Sequence, residues 1–389
     1  MDTIKKGVLT LIKIAVTGEK QDLPGNFAIE EALPQIKRHH MVTLAYEGAV
    51  RCGIDKKETA MQQLFQGYLK SMLISEGQLQ ELQRIFTAFD ENGIDYMPLK
   101  GTLMKERYPK PELRIMGDAD ILIRLAQYEK ISGIMTALGF TETANSDHEL
   151  VWRSPKLYLE LHKRLIPSYN KDFYAFFGEG WQLAKRQNGK RFSMTAEDEM
   201  VYLFTHFAKH FRDGGIGLRH MTDLFVYQRA NPSLDEAYVV AELEKLQLLS
   251  FYNNIKKLLR VFFMDEAEDE LSEILTEYIF ESGSWGKLES RILATSVRDL
   301  GESRSPLKKK LLYLKEIAFP SLNGLKFKYP ILKRAPWALP LVWIYRPFYK
   351  LLFEKESLNR HEQAISAMKK EDIDRRREFL SAIGLDYNF

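Results

Sequence analysis

Residues 96–123 read YMPLKGTLMKERYPKPELRIMGDADILI, and the hydrophobic period changes twice within this stretch. Tyr96 to Leu99 suit a short strand that runs into Lys100-Gly101. TLMKERY, from Thr102, returns to helical spacing until Pro109 and Pro111 end it. IMGDADILIRL then alternates, so Asp118 and Asp120 point to one face of a strand while Ala119 and Ile121 point to the other.

Working upstream, apolar residues from about Leu33 to Asn92 recur at three- and four-residue spacing with few β-branched residues, which predicts a helical region that Glu91-Asn92-Gly93 stops. MDTIKKGVLTLIKIAVTGEK at the start reads as an amphipathic helix, because Lys13 interrupts its apolar run and no small-residue cleavage site follows. Downstream, a helix is expected from about Ala126 to Leu138. Two more strands follow, around HELVWRS and KLYLELHKRL, with Ser154-Pro155 as the turn between them. From Thr195 the pattern is helical again to about Ser296, and Thr195 and Asp198 are spaced for a capping box. The order of elements gives an α+β fold. Its expected units are an N-terminal helical segment at 1–92, a core at 93–190, a helical unit at 191–300, and a basic, aromatic arm with a last helix at 301–389. That last helix, residues 359–389, carries only a modest apolar stripe and is expected to be solvated or dimerising.

The 389 residues are 45% hydrophobic and 28% charged, a composition that excludes a disordered or fibrous chain. A formal charge of +3 announces no nucleic-acid binder, so electrostatic partners must be sought in local clusters. Cys52 is the one cysteine and has no partner for an internal disulfide, which points to a reducing, cytoplasmic setting. No run of about 18 apolar residues argues for a membrane span.

Two carboxylates one residue apart on a strand repel each other unless a cation lies between them. Mg²⁺, or Mn²⁺ in its place, takes hard oxygen ligands and completes its shell with water and phosphate oxygens, which a nucleoside triphosphate supplies. An Asp-x-Asp pair alone also describes an ordinary solvated strand edge. Its neighbours add weight: Lys100, Gly101 and Thr102 stand where a strand enters a helix, so a cation and backbone N–H groups face any phosphate there. Glu160 lies in a strand that could bring a third carboxylate. Arg114 has two readings, a bidentate fork for phosphate oxygens or an ion pair with Asp118.

The run quoted above, followed by LELHKRL and a helix carrying HFAKH, resembles the uncharacterised nucleotidyltransferase family of the DNA polymerase β-like superfamily. The resemblance covers about Ala60 to Tyr227. It implies a small mixed sheet with flanking helices, Asp118, Asp120 and Glu160 as catalytic metal ligands, and a phosphate-binding loop at Lys100 to Thr102. One departure from the broad superfamily signature is Thr102 after Gly101 with a longer spacer before the acidic pair, which the subfamily shares. The resemblance also implies that His206, Lys209 and His210 belong to a helical part closing over the nucleotide. The alternative for that helix face is plain packing against the sheet.

His162 shares a strand face with Glu160 and is a candidate orienting donor or substrate contact, or else a satisfied half-buried histidine. His206 and His210, four apart on a helix and followed by Asp223, have a spacing that zinc uses; the lack of a cysteine or an HExxH glutamate argues for a substrate cleft instead. The stretch 304–355 holds 12 basic residues against two acidic ones, interleaved with aromatics and prolines. A packed arm is the first reading, a membrane surface the second and a nucleic-acid surface the third. Together these features predict Mg-dependent transfer of a nucleoside monophosphate from a triphosphate to a hydroxyl on a small molecule, glycan, protein or RNA. The rivals are an inactive scaffold of the same fold at the inner membrane face and a nucleotidylating toxin that acts on RNA.

Overall fold

A computed structural model describes residues 1–284, 319–320, 322–326, 328–353 and 370–385. Four helices lead: α1 (Thr3–Thr17), α2 (Ile29–Arg38), α3 (Val42–Arg51) and α4 (Thr59–Glu91). The 33-residue α4 ends at Asn92, and Gly93 takes φ +68°, a left-handed conformation that a residue with a Cβ adopts only under strain. β1 (Tyr96–Leu99), α5 (Lys100–Arg107), β2 (Ala119–Ile123), α6 (Tyr128–Ala137), β3 (Thr141–Asn145), β4 (Glu149–Arg153) and β5 (Tyr158–His162) follow. Then come α7 (Lys171–Phe177), the two-residue strands β6 (Lys185–Arg186) and β7 (Phe192–Ser193), and the helices α8 (Ala196–Asp213), α9 (Leu218–Ala230), α10 (Glu236–Lys245), α11 (Leu249–Phe263) and α12 (Glu270–Ser282). The described remainder contains α13 (Leu322–Leu325), α14 (Ile331–Arg334), α15 (Leu339–Phe353) and α16 (Lys370–Ala382).

The five long strands form one sheet in the order β1-β2-β5-β4-β3. β2 and β5 are parallel neighbours at its centre, and the other pairs are antiparallel. This is a small mixed sheet among many helices. One face carries Ala119, Ile121, Ile123, Leu150, Trp152, Leu159 and Leu161, all buried against Leu82, Ile85 and Phe89 of α4 and Ile131 and Met135 of α6. Each of the larger side chains contributes about 1.5–3 kcal/mol when removed from water. With that face apolar, period-two alternation sends Asp120, Glu160 and His162 to the opposite face, towards α8 and α9.

The larger core joins α1–α3 to α8–α12 and takes in Leu99 and Leu122 from the sheet. Thr195 caps α8 by accepting from the Asp198 N–H at 3.1 Å. The capping box is incomplete: the Asp198 carboxylate accepts from the Thr195 hydroxyl at 2.8 Å, not from its backbone.

Two expectations change. β3, TETAN, was not anticipated, because an edge strand with exposed and half-buried polar residues lacks the apolar alternation that marks a strand. The last helix is solvated on one face only over its described part, and its other face packs on the core: Leu380, Ile383 and Leu385 are buried there, Arg376 donates to the Phe211 carbonyl at 2.9 Å and Asn254 to the Ile383 carbonyl at 3.0 Å. The helical continuation beyond Ser284, the boundary at residue 300 and residues 304–318 and 354–355 of the basic stretch lie outside the described residues.

Candidate active site between the sheet and two helices

The register Asp120↔Glu160 and Leu122↔His162 across β2 and β5 sets two carboxylates side by side, with the imidazole one step along the same face. β4 adds Glu149, which pairs with His162. Facing them, α8 presents Leu203, His206, Phe207 and His210 at spacings of three, one and three, and α9 presents Arg219, His220, Asp223 and Leu224. These are single helix faces by the 3.6-residue period. Between the two walls lies a cavity of about 610 Å³, within the range of small-molecule and cofactor sites.

Asp120 is 4% exposed and is held by two cationic partners, Lys100 Nζ at 2.9 Å and His162 Nε2 at 2.8 Å, both on Oδ1. Burial works against its charge, but Lys100 and His162 outweigh burial and hold its carboxyl well below the usual range. Asp118, half-buried just ahead of β2, has only weaker relief from Lys100 and Arg219. Burial, and after it the neighbouring Asp120 and Glu160 charges, push its carboxyl up to about 6.

His162 continues into a chain. His148 Nε2 lies 3.2 Å from His162 Nδ1, and His148 Nδ1 lies 3.1 Å from Glu149 Oε2. Three hydrogen bonds strung between two carboxylates through two imidazoles require three ring protons, so the pair holds one imidazolium. His162 carries it: burial and Lys100 oppose its charge, but Asp120 and Glu160 raise its pKa. His148 is neutral, its pKa lowered to about 4 mainly by burial. His148 and Glu149 were not foreseen; their signal was the SDHELVW segment, legible as a strand but not as a wall of the site.

Lys100 has φ +40°, a strained left-handed conformation for a lysine, at the junction of β1 and α5. Gly101 follows because a Cβ there would stand 2.6 Å from Arg114 Nη1. Arg114 does not pair with Asp118 as one expectation had it. Its Nη2 and Nε meet Asp223 at 3.0 and 3.3 Å, and Tyr108 donates to the same carboxylate at 2.8 Å. The reason is placement: α9 brings Asp223 to the guanidinium from 109 residues away. The expected phosphate contact of Thr102 meets a competing role, since Thr102 is 4% exposed, does not line the cavity and accepts the Asp120 backbone N–H at 3.1 Å.

Lys100, Gly101, Arg114, Asp118, Asp120, Glu160, His162, His206, Lys209, His210 and Asp223 all line the cavity. His206 and His210 face each other, Nε2 to Nε2 at 3.0 Å, and burial drives both pKa values well below normal. Burial and then Lys100 lower Lys209 to about 8.

Among the described residues, two groups have the spacing for a metal ion, with ligand atoms within 4.8 Å of one another: Asp120, Glu160 and His162, and His148, Glu149 and His162, in both of which His162 ligates only on giving up a ring proton. His206 and His210 are in neither, and Asp118 lies outside the first group while lining the same cavity. Burial first, and then the Asp120 and Glu160 charges, raise the Asp118 carboxyl against the opposing pull of Lys100 and Arg219, and a divalent cation beside these three carboxylates fits the remaining repulsion. No described helix is long and apolar enough to cross a membrane.

No curated protein and no solved structure matches the chain significantly. A family model described as uncharacterised nucleotidyltransferase matches residues 25–264, which takes in the whole sheet, both helices of the cavity wall and more than half of the chain. Matched over more than half of its length, the chain belongs to the uncharacterised nucleotidyltransferase family, a family named for nucleotidyl transfer in general.

Proposed function

We propose that this protein has a polymerase β-like core and moves a nucleoside monophosphate from a nucleoside triphosphate to a hydroxyl acceptor, releasing pyrophosphate. The observation that carries this reading is the Asp120↔Glu160 register at the centre of the sheet, facing a cavity whose other wall is imidazole-rich and carries Lys209 and Arg219. Asp118, Asp120 and Glu160 supply the oxygens for Mg²⁺ or Mn²⁺. When bound, the ion neutralises triphosphate charge and makes an acceptor hydroxyl more acidic.

The protein's own groups do the rest. Lys100 and His162 hold the Asp120 carboxylate ionised and fixed in direction. Glu160 takes the proton of the attacking hydroxyl as its oxygen bonds to the α-phosphorus and the bond to the pyrophosphate oxygen breaks. Lys209 and Arg219, across the cavity, face the phosphate oxygens. Arg114 serves mainly by fixing Asp223 and so joining α9 to the β1–α5 corner. Thr102 acts through Asp120 by fixing its backbone.

The test is to incubate the full chain with each α-labelled nucleoside triphosphate, Mg²⁺ or Mn²⁺, and cell extract, and to follow transferred label. Wild type is expected to transfer label and Asp118→Asn/Asp120→Asn is not. Equal Mg-nucleotide binding by both proteins with transfer by neither sinks the reading.

A further inference from the structure

The cavity leaves unused the most unusual surface of the molecule. From Phe319 to Phe353 the chain carries six cations, Lys326, Lys328, Lys333, Arg334, Arg346 and Lys350, and no acidic residue. Its inner side already has partners: Leu325, Leu332, Ala338 and Val342 form a small core of their own, and Trp343 donates to the Pro320 carbonyl at 2.9 Å. The outer side is a different matter. Trp337 is 77% exposed, Leu341 61%, Ile344 64% and Tyr345 52%. Their spacing of four, three and one is that of a single helical face, and Ile331 of α14, also exposed, adds to it.

An exposed apolar patch of this kind marks a contact surface, and its chemistry selects the contact. Aromatic residues beside aliphatic ones, flanked by cations and without acids, match the boundary between acyl chains and anionic headgroups. A nucleic-acid surface would use ring faces for stacking, and Leu341, Ile344 and Ile331 have none. α15 spans 15 residues, about 22 Å at 1.5 Å per residue, short of the roughly 30 Å hydrocarbon layer. Such a helix lies along the surface and does not cross.

We propose that residues 319–353 dock this protein on anionic phospholipid bilayers, with Trp337, Leu341, Ile344 and Tyr345 entering the headgroup boundary and Lys328, Arg334 and Arg346 meeting lipid phosphates. The surface is independent of the nucleotidyl-transfer reading, and either stands if the other fails.

The experiment is flotation of the full-length protein with phosphatidylcholine vesicles, with and without phosphatidylglycerol. It is expected to float with the anionic vesicles and to stay behind with phosphatidylcholine alone. High salt should release it. Trp337→Glu/Leu341→Glu should lower the bound fraction about tenfold; both sites are exposed, and an unchanged melting temperature confirms that the variant is folded. Absence of flotation with either vesicle, wild-type flotation by the folded variant, or capture by a single-stranded oligonucleotide in place of vesicles overturns the proposal.

Discussion

The two walls of the cavity are built from opposite chemistry. The sheet wall gathers Asp118, Asp120, Glu149 and Glu160, and spends Lys100 and His162 on keeping Asp120 ionised. The helical wall sets Lys209 and Arg219 beside Asp213 and Asp223, with histidines kept neutral by burial: His206 and His210 are well below their normal pKa and His220 is pushed to about 3. A surplus of carboxylate at one side calls for a cation, and at the other Lys209 and Arg219, among neutral imidazoles and with Asp223 already taken by Arg114, can meet an anion. A metal-bound triphosphate brings both in one ligand.

The largest effect is expected on the sheet wall. Asp120→Asn keeps a polar partner for Lys100 but removes the central carboxylate, and initial rates of label transfer should fall about 1000-fold, roughly 4 kcal/mol of transition-state stabilisation. A rate within tenfold of wild type would mean that this wall is not where the chemistry happens. Next comes the link between the walls. Arg114→Met leaves Asp223 buried and without its bidentate partner, and urea unfolding should report a loss of about 3–5 kcal/mol. If stability barely changes while nucleotide binding weakens, Arg114 belongs with the phosphate instead.

Asp118 tests the charge surplus itself. Its folded pKa of about 6 lies above the ordinary carboxyl value of 3.8, so its contribution to stability is intact below about pH 4 and is lost as the pH rises through 6. In metal-free protein at pH 8, Asp118→Asn should therefore be more stable than wild type by on the order of 2 kcal/mol, with the difference vanishing near pH 4. Thermal melts across that range read the sign directly, and a destabilised variant would remove the case for a raised Asp118 carboxyl. The smallest change concerns the helical wall. Thr195→Ala deletes the cap of α8 and should cost about 1 kcal/mol without altering the ratio of label transfer to nucleotide binding.

Much of the sheet wall was legible one segment at a time. Asp118 and Asp120 flank Ala119, and Glu160 and His162 flank Leu161, each pair on one face of a strand by simple alternation. Thr195 announced α8, and the four-residue step from His206 to His210 put both on one side of it. What stayed hidden were contacts between segments. His148 and Glu149 enter the site only because β4 pairs with β5 in the register Glu149↔His162. Arg114 offered its fork to any nearby carboxylate, and the tertiary fold chose Asp223 over Asp118. The weak apolar stripe of the last helix concealed its docking on α8 and α11, because a few well-placed leucines and isoleucines suffice when the receiving groove is already formed.

Local periodicity, through the 3.6-residue and two-residue repeats of side-chain direction, is a property of the chain alone. It sufficed to determine which faces of which elements carry carboxylates, imidazoles and apolar groups. Which face meets which is a matter of strand register and helix packing across tens to hundreds of residues. Those are decided by the summed burial of two cores, and so the tertiary structure alone set Asp120 beside Glu160, strung His162 to Glu149 through His148, and closed α8 and α9 over them.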